Sequence, residues 1–160
     1  MVRAAFAVYF SSLALWVGGL TALSFVVAPA LFRVSRPTAG ESFGAVLRAF
    51  GYVEMVCAGL LAVASVVLYR TASEDEWMKI FRLSAVGLML VLALTYTLGI
   101  NPAIAQERQG IPNFATLAEG DPAKARFQRL HAWSVRLAAA NLLVGWALIV
   151  VSAANLKSAR

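Results

Sequence analysis

The chain contains one histidine, one cysteine and eight acidic residues, so any chemistry rests on a short set of side chains. Glu54 lies inside a long apolar run, and Cys57 follows one turn later on the same helical face. His131, Ser134 and Arg136 cluster where the stretch Asp121 to Trp146 changes from polar to apolar. Asn101 precedes Pro102 at the end of another apolar run. Ionisable groups in hydrocarbon cost about 2.5–3.5 kcal/mol at a helix centre on insertion scales, and those that persist mark ligand or proton pathways. Imidazole titrates near neutral pH, so His131 could bind a ligand or carry a proton. Glu54 and Arg136 are expected at similar depths, and an ion pair would lower the penalty of each. Glu54, Cys57 and His131 form a sensible donor set for a soft or borderline cation, which makes them the metal candidates. The competing reading is structural. Arg136 then reaches the headgroups, and the stripe His131, Ser134, Ala138, Asn141, Gly145 and Ser152 packs against other helices.

Positioning these groups falls to membrane helices. The 160 residues are 61% hydrophobic with a mean hydropathy of +0.75, and 14% are charged against about a quarter in soluble domains. A bilayer core takes about 20 apolar residues per helix. Four segments qualify, at about 4–28, 43–69, 80–101 and 122–155. The expected fold is an all-α membrane protein, an antiparallel four-helix transmembrane bundle forming a single domain over residues 1–160. Ala28-Pro29 should end the first helix, because proline disfavours helix in the residue before it. Ser35 to Ser42 and Asn113 to Gly120 read as loops. Asn101-Pro102 should interrupt or end the third helix. Asp121 is a good N-cap with Pro122 at the first helical position. The run between Arg3 and Arg33 is about twice the length of a signal-peptide apolar region, so an uncleaved helix is expected. Val27-Ala28-Pro29-Ala30-Leu31 resembles Ile100-Asn101-Pro102-Ala103-Ile104, a faint sign of a duplicated hairpin.

Alternating spans put both termini on one face of the membrane and the two connections after helices 1 and 3 on the other. Pro29, Glu54, Cys57, Asn101, Pro102, His131, Ser134 and Arg136 all fall toward the second face, and the opposite half should be nearly all apolar. That segregation predicts a polar pocket lined by Glu54, Cys57, Asn101, His131, Ser134 and Arg136. The formal net charge of +6 comes from Lys and Arg flanking apolar runs, which meet lipid headgroups and do not form a nucleic-acid patch. Arg126, Arg129, Trp133 and Arg136 form such a cationic stripe. Glycine-rich phosphate loops, nucleophile elbows and HExxH zinc motifs are absent from the sequence. One histidine cannot supply two axial ligands to a haem within one chain.

Several of these stretches together resemble the transmembrane protein 205-like family. They are Trp16-Val17-Gly18-Gly19, Ala28-Pro29-Ala30-Leu31-Phe32-Arg33, Asn101-Pro102, Asp121-Pro122 and Phe127-Gln128-Arg129-Leu130-His131-Ala132-Trp133-Ser134. Bacterial members of that family are small four-helix proteins of unknown function, and animal relatives are associated with tolerance to platinum drugs. The family pattern often places asparagine seven residues after the histidine; here Ala138 stands there and Asn141 follows a turn later. Looser likenesses reach the copper-resistance D membrane domain and the four-helix protoporphyrinogen oxidase of bacteria, although the first-helix histidine of the latter is missing. The resemblance implies a binding or transport-type protein of a bacterial inner membrane, for a small solute or metal complex. An accessory subunit of a larger complex, a homo-oligomer and a haem- or quinone-linked redox protein are the alternatives, and no cofactor is specified.

Overall fold

The computed structural model describes residues 1–34, 36–109, 118 and 120–158, and these form helices and short connections without a strand. Helix α1 (Val2–Ala22) passes through a π-helical stretch, Leu23–Val27, into α2 (Ala28–Val34). Helix α3 (Arg36–Thr71) returns. Helix α4 (Glu76–Leu94) passes through a second π-helical stretch, Thr95–Ile100, into α5 (Asn101–Arg108). Helix α6 (Pro122–Ser158) returns again. Four spans of 33 or 34 residues are long and apolar enough to cross a membrane. At 1.5 Å per residue each is about 50 Å long. A hydrocarbon core of about 30 Å leaves the ends projecting into the headgroup layers and beyond.

Neither proline ends its helix, contrary to the sequence expectation for Ala28-Pro29. Proline lacks an N–H and its ring meets the carbonyl one turn back. Both prolines follow a π-helical stretch, which widens the turn and relieves that conflict. Ala28 N accordingly donates to Leu23 O, and Asn101 N donates to Tyr96 O, five residues back in each case. Residues 36–42, expected as loop, are the first turns of α3. The segment expected as loop from Asn113 falls largely outside the described residues. Asp121 caps α6 as expected, its Oδ1 accepting from Ala123 N at 2.7 Å.

Helix α1 packs on α3, α3 on α4, α4 on α6 and α6 on α1, which closes the bundle. The two hairpins are copies of one packing pattern. Buried Tyr9, Ser12, Leu13, Trp16 and Leu20 of α1 correspond, at a constant offset, to buried Arg82, Ala85, Val86, Met89 and Ala93 of α4. Buried Glu54, Ala58, Leu61 and Ser65 of α3 correspond in the same way to Asn141, Gly145, Leu148 and Ser152 of α6. Both hairpins start on the same face, so the pseudo-two-fold axis runs along the membrane normal. Close approach between them is set by Gly145. A Cβ there would lie 2.5 Å from Val17 Cγ2 and 3.2 Å from the Met89 methyl.

Candidate functional site

Helix α1 turns Tyr9, Ser12 and Trp16 inward along one face, and all three are buried. Trp16 carries an indole N–H, which needs an acceptor once out of water. Glu54 supplies it: Trp16 Nε1 donates to Glu54 Oε1 at 2.9 Å. Glu54 lies halfway along α3 and is only 6% exposed. The early start of α3 therefore places this carboxyl near the middle of the span rather than near its entry. Cys57, a free and buried thiol, follows one turn along the same face. Tyr96, half-buried in the second π-helical stretch, lies within electrostatic reach of both Glu54 and Arg48. In the second hairpin Asn141 Nδ2 donates to Met89 O at 3.3 Å, and Asn141 Oδ1 has no partner among the described residues. These two hydrogen bonds occupy equivalent places in the two repeats, each tying the hairpin's own helices together.

The residues proposed from sequence separate into two groups. Glu54 and Cys57 lie together in the interior. His131 is exposed and stacks on Phe127, with ring centroids 6.1 Å apart and planes 5° apart. Ser134 Oγ donates to His131 O at 2.8 Å, a bond local to α6. Arg136 is exposed, and its guanidinium lies over the Trp133 ring at 5.3 Å. The expected Glu54–Arg136 ion pair is therefore not formed: the two side chains point into different surroundings, and each has a nearer partner. Asn101 is half-buried at the start of α5. Among the described residues no three His, Cys, Asp or Glu side chains converge on a common metal position. Arg126, from the cationic stripe, pairs with Glu107 of α5, Nε to Oε1, at 2.9 Å.

The half of the bundle nearest the termini is not nearly all apolar. Arg82, 1% exposed, donates through Nη2 to both carboxylate oxygens of Glu74 at 2.6 and 2.5 Å. Its guanidinium carbon lies 5.3 Å from the Tyr9 ring centroid and 5.8 Å from that of Phe6. Tyr9 and Ser152 share a hydrogen bond of 3.1 Å between their hydroxyls. In the sequence Glu74 looks like one of the acids that suit a helix N-terminus, and Arg82 like one of the cations flanking an apolar run. The signal available was one polar position on each of α1, α4 and α6 at the same height.

These features define an integral, multi-pass membrane protein with four spanning helices in contact with lipid. The chain belongs to the family described as domain of unknown function (DUF4149), whose model matches residues 2–111, from α1 through α5. No curated protein and no solved structure matches it.

Proposed function

We propose that this is a binding or transport-type membrane protein whose central site is built on Glu54 and Trp16, with Cys57 one turn along from Glu54 and Asn141 at the matching place in the second hairpin. The carrying observation is the buried Trp16–Glu54 hydrogen bond halfway through the span. A carboxyl group there is expensive, and such groups in membrane proteins mark solute, ion or proton pathways. The asymmetry between the repeats supports the same reading, since Glu54 and Trp16 stand where the second hairpin has Asn141 and Met89. The ligand class is a small solute or metal complex, in line with the resemblance to the transmembrane protein 205-like family, and the membrane is a bacterial inner membrane. His131, Ser134, Arg136 and Asn101 serve the approach from the opposite face rather than the centre.

Native mass spectrometry of the protein released gently from its own membrane tests this. A defined extra mass on the wild type, lost in Glu54→Gln, supports a ligand at the centre. Carbodiimide labelling that maps to Glu54 and is slowed by the same ligand would agree. An extra mass unchanged in Glu54→Gln would overturn the assignment.

The outward face of α1 favours a second reading, an accessory subunit or homo-oligomer. Ala4, Ala7, Ser11, Ala14, Gly18 and Ala22 lie along it at helical spacing, with Ala4, Ala7, Ser11, Ala14 and Gly18 exposed. Small residues at this spacing let helices approach closely in lipid. Stable co-purification of a larger partner, abolished by Gly18→Leu, would favour this role.

A further inference from the structure

Arg82 is the most buried charged side chain among the described residues, and it lies away from the Glu54 centre. A buried guanidinium needs its donors satisfied, because an unpaired polar group out of water is costly. Glu74 engages Nη2 only. Nε and Nη1 are buried and meet no acceptor among the described residues. The hydroxyl of Ser65, at 0% exposure, is likewise without a partner among them. Ser65 faces the interior from α3 at the same height above the α3–α4 connection as Arg82. The pseudo-two-fold axis relates this pair to Tyr9 and Ser152, which do meet. One cation and three hydroxyls that can all donate therefore lie buried in one layer of the bundle, with the rings of Phe6 and Tyr9 against the guanidinium.

We propose that this cluster is a binding site for a small monovalent anion, of halide, nitrate or formate size, and that Glu74 is its built-in competitor. The Glu74 carboxylate already occupies the position such an anion would take on Nη2. It belongs to a short non-helical connection between α3 and α4, and its side chain keeps 13% exposure. Rotation of Glu74 into the headgroup water would leave Arg82 as a buried cation. An entering anion restores neutrality and accepts from Arg82 and from the Tyr9, Ser152 and Ser65 hydroxyls. Both states hold one negative charge against Arg82, so exchange between them avoids an unpaired charge in the interior. The site opens toward the face that carries the termini.

The test uses the purified full chain in detergent at constant ionic strength, with gluconate as the bulky reference anion. Chloride, nitrate and formate are titrated while thermal unfolding and chloride NMR line broadening are recorded. The wild type is expected to be stabilised by the small anions and not by gluconate. Glu74→Gln should bind them about tenfold more tightly, because the competitor is neutral, as mass action requires. Tyr9→Phe and Ser152→Ala should each weaken binding in the Glu74→Gln background. Arg82→Lys, which keeps the charge and loses the fork, should bind several-fold more weakly than the wild type. Equal effects of gluconate and chloride would overturn the proposal, since the response would then be ionic strength alone. A response confined to Glu74→Gln would also overturn it, since the anion would then only replace a lost counter-ion. So would an undiminished response in Arg82→Lys.

Discussion

Removing the indole N–H of Trp16 should expose the energetic link between α1 and α3. Trp16 is fully buried and Glu54 nearly so, and one hydrogen bond of 2.9 Å joins them. Trp16→Phe leaves a carboxyl oxygen without its donor, a cost of about 1–3 kcal/mol for a buried polar group. The smaller ring adds a cavity term. Glu54→Leu removes the acceptor, and Glu54→Gln keeps a carbonyl in its place. A double-mutant cycle separates the bond from the cavity, because the cavity term appears in both backgrounds. Hydrogen bonds between membrane helices measure about 0.6 kcal/mol on average and about 1.7 at most. The coupling between Trp16→Phe and Glu54→Leu should fall in that range, and Glu54→Gln should retain most of it. Reversible unfolding in mixed micelles, titrated with SDS at fixed pH, gives the four free energies. A coupling within about 0.3 kcal/mol of zero, the usual scatter of additivity, would refute the pairing and with it the central site.

Three further outcomes follow from the packing. Gly145→Ala should destabilise by about 1–3 kcal/mol, because its new methyl meets the buried, branched Val17 and the Met89 side chain, whereas Gly18→Ala faces open space and should be silent in the same assay. Glu74→Ala should cost about 3–5 kcal/mol in anion-free buffer by leaving Arg82 buried and unpaired, and a loss below about 1 kcal/mol would place Arg82 in water. His131→Ala should change unfolding free energy by less than about 0.5 kcal/mol, since the ring is exposed and, among the described residues, stacks on its neighbour in α6, Phe127, and a larger loss would mean the imidazole has an interior partner.

The four spans were legible because length and hydropathy alone decide whether a helix can cross a bilayer. Where each helix bends was not. The rule that proline ends a helix assumes four-residue hydrogen bonding, and the π-helical stretches before Pro29 and Pro102 supply five-residue bonding instead. Glu54 and Cys57 were legible as interior residues because a carboxyl inside an apolar run is driven away from lipid and toward the bundle. Their partner Trp16 was not, since the choice depends on how α1 is rotated against α3. His131 reads as a pocket residue because it belongs to the stripe that continues to Asn141 and Ser152 and falls at the same end of the bundle as the expected position of Glu54. Helix α6 is 37 residues long and packs on α5 and on the second π-helical stretch, yet His131 lies on its exposed face. Which face of α6 its neighbours cover depends on how the helices are rotated against one another, and spacing along α6 does not fix that. The Arg82 cluster escaped notice for the opposite reason. Glu74 and Asp75 look like helix-capping acids, and only the fold-back of the short connection turns Glu74 inward onto Arg82.

The duplicated packing also constrains what the polar residues can be doing. A strict two-fold copy would set like against like near the axis. Two copies of Arg82 would bring cations together, and two copies of Glu54 would place two carboxyls in the same apolar core. Neither arrangement is tolerable in hydrocarbon, where a single unpaired charge is already costly. The two repeats in this chain keep the same buried positions and differ in chemistry at matched places: Tyr9 against Arg82, Trp16 against Met89, Glu54 against Asn141. Each polar residue is then complemented by a different group. Tyr9 faces Arg82 with its ring, Trp16 donates to Glu54, and Asn141 donates to a backbone carbonyl. Packing alone would be satisfied by apolar side chains at all six positions, at lower cost in lipid. A carboxyl and a guanidinium in different layers of one small bundle are what the two proposed sites require, one at mid-span and one near the face that carries the termini.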